Sequence, residues 1–232
     1  MNVYLLVEGA QTEKQVYPAW LSIIAPNLKR VERLEEVSNN NYFLFSGGGI
    51  PSIYKHVSNA VADINQINSS KEIKIDYLLV CIDTEQENRV YILEKIEEQL
   101  KLDNRRVDNF QLLVFEHKVC METWFLGNRK VFKNNPQNVE FNKLVRFYDV
   151  SVYDPEDMTN GDEERFSTKA QFHNRYLKLM LRERNVNYSK SNPYEVCKVS
   201  YLNELISRSR STEHLKTFSQ WYEFVINHLK DE

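Results

Sequence analysis

Apolar positions in the first half of the chain fall into short runs separated by stretches with helical spacing. Residues 3–7 form a run of strand type, and Val16, Trp20, Ile23 and Ile24 then share one face of a helix over residues 12–25. Thr12 with Gln15 three positions later has the form of a capping box, and Pro18 lies where it would kink that helix. Residues 42–45 predict a second strand. A helix over 52–65 follows, with Ile53, Val57, Ala60, Val61 and Ile64 turned inward. The segment "DYLLVCID" carries an unbroken apolar run over 77–82, which suits a strand covered on both faces. A helix over 87–102 would turn Val90, Ile92, Leu93, Ile96 and Leu100 inward, and an apolar strand over 110–115 completes the series. Strand alternating with helix predicts βαβ crossovers, hence an α/β fold with a mainly parallel four-stranded sheet flanked by helices.

The second half has a different pattern. A short helix is expected over 119–126, and 129–161 reads as irregular, with "KNNPQN" and "YDPEDMTNGDEE" as loop material. Helical spacing returns over about 169–186, 194–207 and 213–229. The expected organisation is an α/β core over 1–128 and a mostly helical C-terminal extension over 129–232 packed on it.

Composition narrows the class of protein. With 42% hydrophobic and 27% charged residues the chain is globular in type. No apolar run approaches the ~18–20 residues of a membrane span, so no membrane partner is expected. Glu8 interrupts the apolar stretch at the start, which does not match a secretory leader. Three widely spaced cysteines, Cys81, Cys120 and Cys197, fit neither a disulfide framework nor a zinc site, and the expected location is cytoplasmic. A net charge of −3 gives no general attraction for nucleic acid, although an enzyme that meets phosphates through bound cations needs acidic residues at its site and only local basic patches.

Candidate chemistry gathers at strand ends, where open α/β sheets bind their ligands. Glu8 follows the first strand, Asp83 and Glu85 close the central one, and His117 follows the last. Clustered carboxylates either share protons or bind a cation, and hard oxygen ligands suit Mg²⁺ or Mn²⁺. Gly9 permits either a close approach to phosphate or merely a tight turn. "GGG" at positions 47–49 precedes a helix as phosphate-cradling loops do, but it lacks the Walker lysine and the spaced Rossmann glycines and fits a flexible turn. Arg175, Lys178 and Arg182 share a helix face that can track a nucleic-acid backbone or simply be solvated, and "SRSRS" over 207–211 reads as a basic helix end.

"LLVEGAQTE" resembles the first motif of TOPRIM domains, a strand ending in Glu-Gly with a Thr-Glu pair opening the next helix, in the form found in OLD-type and RloB-like bacterial defence proteins. "LLVCIDTE" is similar to the second motif, a strand ending in Asp-x-Asp, about 75 residues on. "METWFLG" is similar to a Glu-x-Trp segment that follows in such proteins. The resemblance covers residues 1–128. It implies a TOPRIM-like fold in which Glu8, Asp83 and Glu85 are catalytic, with Glu122 joining them as a ligand of Mg²⁺ or Mn²⁺. Gly9, His117, Lys118, Arg175, Lys178 and Arg182 are the expected nucleic-acid contacts. Glu85 departs from the pattern, which has aspartate there, and lengthens the reach by one methylene.

The function expected on this basis is metal-dependent hydrolysis of phosphodiesters in DNA or RNA, as an antiphage defence effector. The absence of a Walker motif assigns any ATPase to a separate partner chain. The alternative is a non-catalytic TOPRIM-like module that binds a partner protein or a nucleotide. A covalent topoisomerase, a primase and a "DxDx[TV]" phosphatase all lack sequence support.

Overall fold

A computed structural model describes residues 1–70 and 72–230. The chain divides into two compact units. One comprises Met1–Ile82, Glu87–Glu116 and the chain from Phe224 onward, and the other comprises Asp83–Gln86 and His117–Glu223.

The first unit is built on a five-stranded sheet in the order β2-β3-β1-β4-β5. Its strands are β1 (Asn2–Val7), β2 (Lys29–Val31), β3 (Asn41–Ser46), β4 (Tyr77–Asp83) and β5 (Gln111–His117). The pairs β2–β3, β1–β3 and β1–β4 are parallel, with Val7 opposite Ser46 on one side and Cys81 on the other. Hydrogen bonds from Gln111 N to Asp76 O and from Thr84 N to His117 O show β5 running with β4. The sheet thus has five strands where the sequence predicted four. β2 is the additional one: three residues, Lys-Arg-Val, with no buried position to give a periodic signal.

Helices α1 (Glu13–Ile24), α2 (Ser52–Ser70) and α3 (Arg89–Leu102) make the crossovers. β1 and the first six residues of β4 are buried throughout, as expected of strands covered on both faces. The five residues of α2 expected inward are all buried, and Tyr54, Ser58 and Asn68 are buried with them. In α3 only Ile92 and Ile96 are fully buried, while Leu93 and Leu100 pack at the core's margin. Val90 is 63% exposed, against expectation, because it stands about 200° around the helix from Ile92. The capping box at Thr12 is also absent: its backbone is helical and its side chain makes no cap bond. Phe224 and His228 stack on one another and meet Tyr77 in the same unit.

The second unit is helical: α4 (Met121–Phe125), α5 (Val139–Phe147), α6 (Lys169–Arg182), α7 (Val199–Ser211) and α8 (Lys216–Phe224). α5 falls within the stretch expected to be irregular. Only Phe141 and Leu144 of its nine residues are buried, too few to stand out from a polar background. Arg208, expected only as part of a basic helix end, is fully buried. It donates to the carbonyls of Gly127, Val150 and Tyr153 and to His214 Nδ1, tying α7 to three irregular segments. Burial pushes its guanidinium down to about 10, with Arg129 adding to the effect.

Candidate functional site

Glu8 belongs to the first unit, immediately beyond β1. Its N–H donates to Cys81 O at 3.0 Å, and its carbonyl accepts from Gly48 N at 3.1 Å, which fastens the Gly47–Gly49 loop to the strand end. Gly48 and Gly49 have φ of +70° and +94°, so the loop needs glycine for its backbone conformation. Gly9 has a different reason. Its N–H donates to Glu13 Oε1 at 3.1 Å, and a Cβ at Gly9 would lie within 2.3 Å of the Glu13 carboxylate. The Glu-Gly pair at the strand end is followed by Glu13 because that buried carboxylate folds back over the glycine. Burial pushes the neighbouring Cys81 thiol up to about 12, Glu13 adding to the shift and a Tyr17 hydrogen bond opposing it. The Tyr54 hydroxyl, also in this unit, is buried with no hydrogen-bond partner among the described residues.

Asp83, Glu85, His117 and Glu122 all belong to the second unit. Asp83 Oδ1 lies 2.7 Å from His117 Nδ1, so one proton is shared between them. The His117 ring is fully buried and sits edge-on against Trp124, their centroids 4.5 Å apart. Glu122, in the first turn of α4, is 2% exposed and accepts from the Tyr188 hydroxyl at 3.1 Å, with Lys190 Nζ 3.7 Å away. Burial raises the Asp83 carboxyl well above its ordinary range, and Glu122 and then Glu85 push it further. Lys190 and the Met121 N–H oppose this without reversing it. Burial first and the Glu122 charge second therefore set the electrostatics of Asp83.

The backbone beside the cluster is strained. Glu85 and Val119 have φ of +48° and +74°, the latter a β-branched residue for which this region is costly. The two are joined by Glu85 N donating to Val119 O at 2.9 Å. Thr84 adds a second tie, its hydroxyl oxygen accepting from Val119 N and its N–H donating to His117 O. Strain of this kind persists only where surrounding bonds hold it in place.

Among the described residues, no group of three or more His, Cys, Asp or Glu side chains converges at metal-holding spacing. The donor chemistry of Asp83, Glu85 and Glu122 nonetheless matches a hard divalent cation, whose charge would relieve their repulsion. Neither Cys120 nor His173 enters such chemistry. Burial and then Glu122 raise the Cys120 thiol well above its usual range. Burial holds His173 down to about 4, so it is neutral at pH 7. Its Nε2–H donates to Met158 O and its Nδ1 accepts from the Thr123 hydroxyl, a satisfied core arrangement.

The expected nucleic-acid contacts have varied settings. His117 is enclosed, and the Gly9 position is covered by Glu13. Lys118 pairs with Asp157 at 2.8 Å, with both side chains largely in solvent. Arg175 is held by both Glu140 oxygens, so it does not stand free on the expected basic stripe. Lys178 is half-buried and Arg182 exposed on α6. Sequence reasoning missed Tyr188 and Lys190, which lie in "NYSKSN", a segment with no periodicity or motif to mark it. It also passed over Glu13, although the "TE" of the first motif contains it. No family model matches the chain, and comparison with curated proteins and with solved structures gives no match either.

Proposed function

We propose that the chain is a phosphodiesterase that cleaves nucleic acid with the help of Mg²⁺ or Mn²⁺. The observation that supports this reading best is the setting of Asp83, whose carboxyl is lifted by burial, then by the buried Glu122 and the exposed Glu85. Strain at Glu85 and Val119 beside the group favours a functional role over a structural one.

The sequence motifs assign the ion to Asp83, Glu85 and Glu122, whose side chains do not converge at metal-holding spacing among the described residues. Such a cation, when bound, supplies Lewis-acid stabilisation of phosphate oxygens and a water acidic enough to attack phosphorus. His117 and Asp83 hold a proton between Nδ1 and Oδ1 that can be released or taken up as charge at the cluster changes. Lys190 brings a half-exposed ammonium to Glu122, where it balances carboxylate charge and can attract a substrate phosphate. Tyr188 fixes the Glu122 carboxylate through its hydroxyl. Glu8 enters this reading through the order of the sequence motifs alone, as do the TOPRIM-like fold, the antiphage role and a separate ATPase partner.

A second reading is favoured by the internal pairing of Glu122 with Lys190 and of Asp83 with His117, which can neutralise the cluster without a metal. The chain would then be a non-catalytic binding module. Cleavage of labelled single-stranded DNA, duplex DNA and tRNA, with and without Mn²⁺, separates the two. The enzyme reading requires metal-dependent cleavage that falls by about a hundredfold or more in Asp83→Asn and Glu122→Gln. Equal cleavage by wild type and both variants would remove it. Full activity in Glu8→Gln would remove only Glu8 from the proposal.

A further inference from the structure

Glu156 is a buried carboxylate of the second unit that the proposed reaction does not use. It lies in the turn over 155–157, where Lys118 relieves its charge least of the groups that act on it, being paired with Asp157. Part of its role is ordinary capping. Asp154 accepts from Leu215 N at 3.2 Å and Glu156 accepts from Thr217 N at 3.0 Å, so two carboxylates meet the N–H groups at the start of α8. Capping leaves one bond unexplained. The Thr217 hydroxyl donates to the same Glu156 oxygen, Oε1, at 2.6 Å.

From that hydroxyl the bonds continue in one direction. An indole N–H can only donate, so Trp124 Nε1 donates to Thr217 Oγ1 at 2.7 Å. The single hydroxyl proton of Thr217 then goes to Glu156, so the carboxylate sets the hydroxyl rotor and the rotor sets the indole. Phe218 and Trp221 of α8 brace the same indole, with centroids 5.5 and 6.1 Å from it. Trp124 in turn stands perpendicular to the His117 ring at 4.5 Å, and His117 Nδ1 is 2.7 Å from Asp83 Oδ1. Glu156, Thr217, Trp124 and His117 are all buried, and a satisfied polar network in such a setting specifies one arrangement of the side chains it holds. An apolar residue at position 217 would serve packing against Trp124. A hydroxyl directed by a buried carboxylate fixes how the indole is turned, and with it the wall against which His117 rests.

We infer that Glu156 is a positioning residue for His117, acting through the Thr217 hydroxyl and the Trp124 indole. Its effect on cleavage rests on the phosphodiesterase reading, whereas the placement of His117 can be read without it. The test records the ring-proton NMR resonances of His117 and Trp124 in the full chain at one pH, beside kcat and KM for Mn²⁺-dependent cleavage. Thr217→Val keeps the N–H that Glu156 caps and removes only the hydroxyl. It should displace the resonances of both rings and lower kcat by about tenfold with KM unchanged. Glu156→Leu should do the same. Thr217→Ser and Glu156→Gln retain the hydroxyl and the acceptor oxygen, and should keep wild-type resonances and a kcat within about twofold of wild type. If Glu156→Leu does not fold, the two Thr217 variants decide. The assignment is overturned by His117 resonances that stay in place in Thr217→Val, by equal displacement in Thr217→Ser and Thr217→Val, or by a change confined to KM. If wild type cleaves no substrate with either metal, the phosphodiesterase reading falls, and the His117 resonances still decide the assignment.

Discussion

Asp83 and Glu183 are both carboxylates of the second unit with little exposure, their side chains 14% and 6% open to solvent. Their surroundings act in opposite directions. Glu183 accepts from the N–H groups of Gln137 and Asn138 and from Lys133 Nζ. Burial pushes its carboxyl up, but these donors outweigh burial and hold it below the ordinary value. Asp83 has a histidine partner, a backbone N–H and a distant lysine, yet Glu122 and Glu85 join burial in pushing it up. The Glu183 arrangement stabilises the fold by pinning the segment before α5 to the end of α6. The Asp83 arrangement costs stability, and a costly charge cluster beside strained backbone is more economically explained by chemistry than by folding.

Paired substitutions can break that contrast. The largest effect expected is on function: Asp83→Asn should abolish metal-dependent cleavage while leaving the melting temperature unchanged or higher, since it removes a repelled charge. Glu183→Ala should do the reverse, costing about 1–3 kcal/mol in urea denaturation as its donors lose their acceptor, with turnover retained. Loss of stability in Asp83→Asn together with a neutral Glu183→Ala would dissolve the distinction.

A comparable cost is expected in the first unit, where the Glu13 carboxylate covers Gly9. Gly9→Ala should lose about 1–3 kcal/mol, and adding Glu13→Ala should restore part of it, a coupling visible in a double-mutant cycle. Simple additivity would mean the two residues do not share that space.

The smallest effect is confined to a pH window. Burial pushes Glu156 up to about 7, Asp154 adding to the shift and the Thr217 hydroxyl opposing it. The native state keeps a proton that the unfolded chain releases near 4.5, so this group's contribution to stability falls as pH rises from 4.5 through 7. Urea midpoints measured across pH 4.5–8 should decline less steeply in Glu156→Gln than in wild type. Parallel profiles would exclude Glu156 as the titrating group.

Much of the first unit was legible because its central strands β1 and β4 are buried on both faces and carry unbroken apolar runs. β2 was not, since Lys29–Val31 is a short edge strand with polar neighbours. Val90 misled because an apolar residue counts toward a pattern whichever way its helix turns it. The carboxylates of the second unit could be named from strand ends and from "METWF", but their company could not. Lys190 and Tyr188 reach Glu122 across 66 or more positions of sequence, and no local rule connects them. Gly9 could be recognised as necessary, but the buried carboxylate that makes it so becomes visible only once α1 is packed.

The most direct test is to titrate the Asp83 carboxyl by ¹³C NMR in metal-free protein, with Glu122→Gln alongside. The wild-type midpoint should lie clearly above the ordinary aspartate value of 3.8, and the variant's should be lower, because the largest neighbouring charge is gone. A midpoint at or below 3.8, or one that Glu122→Gln leaves unmoved, would contradict it.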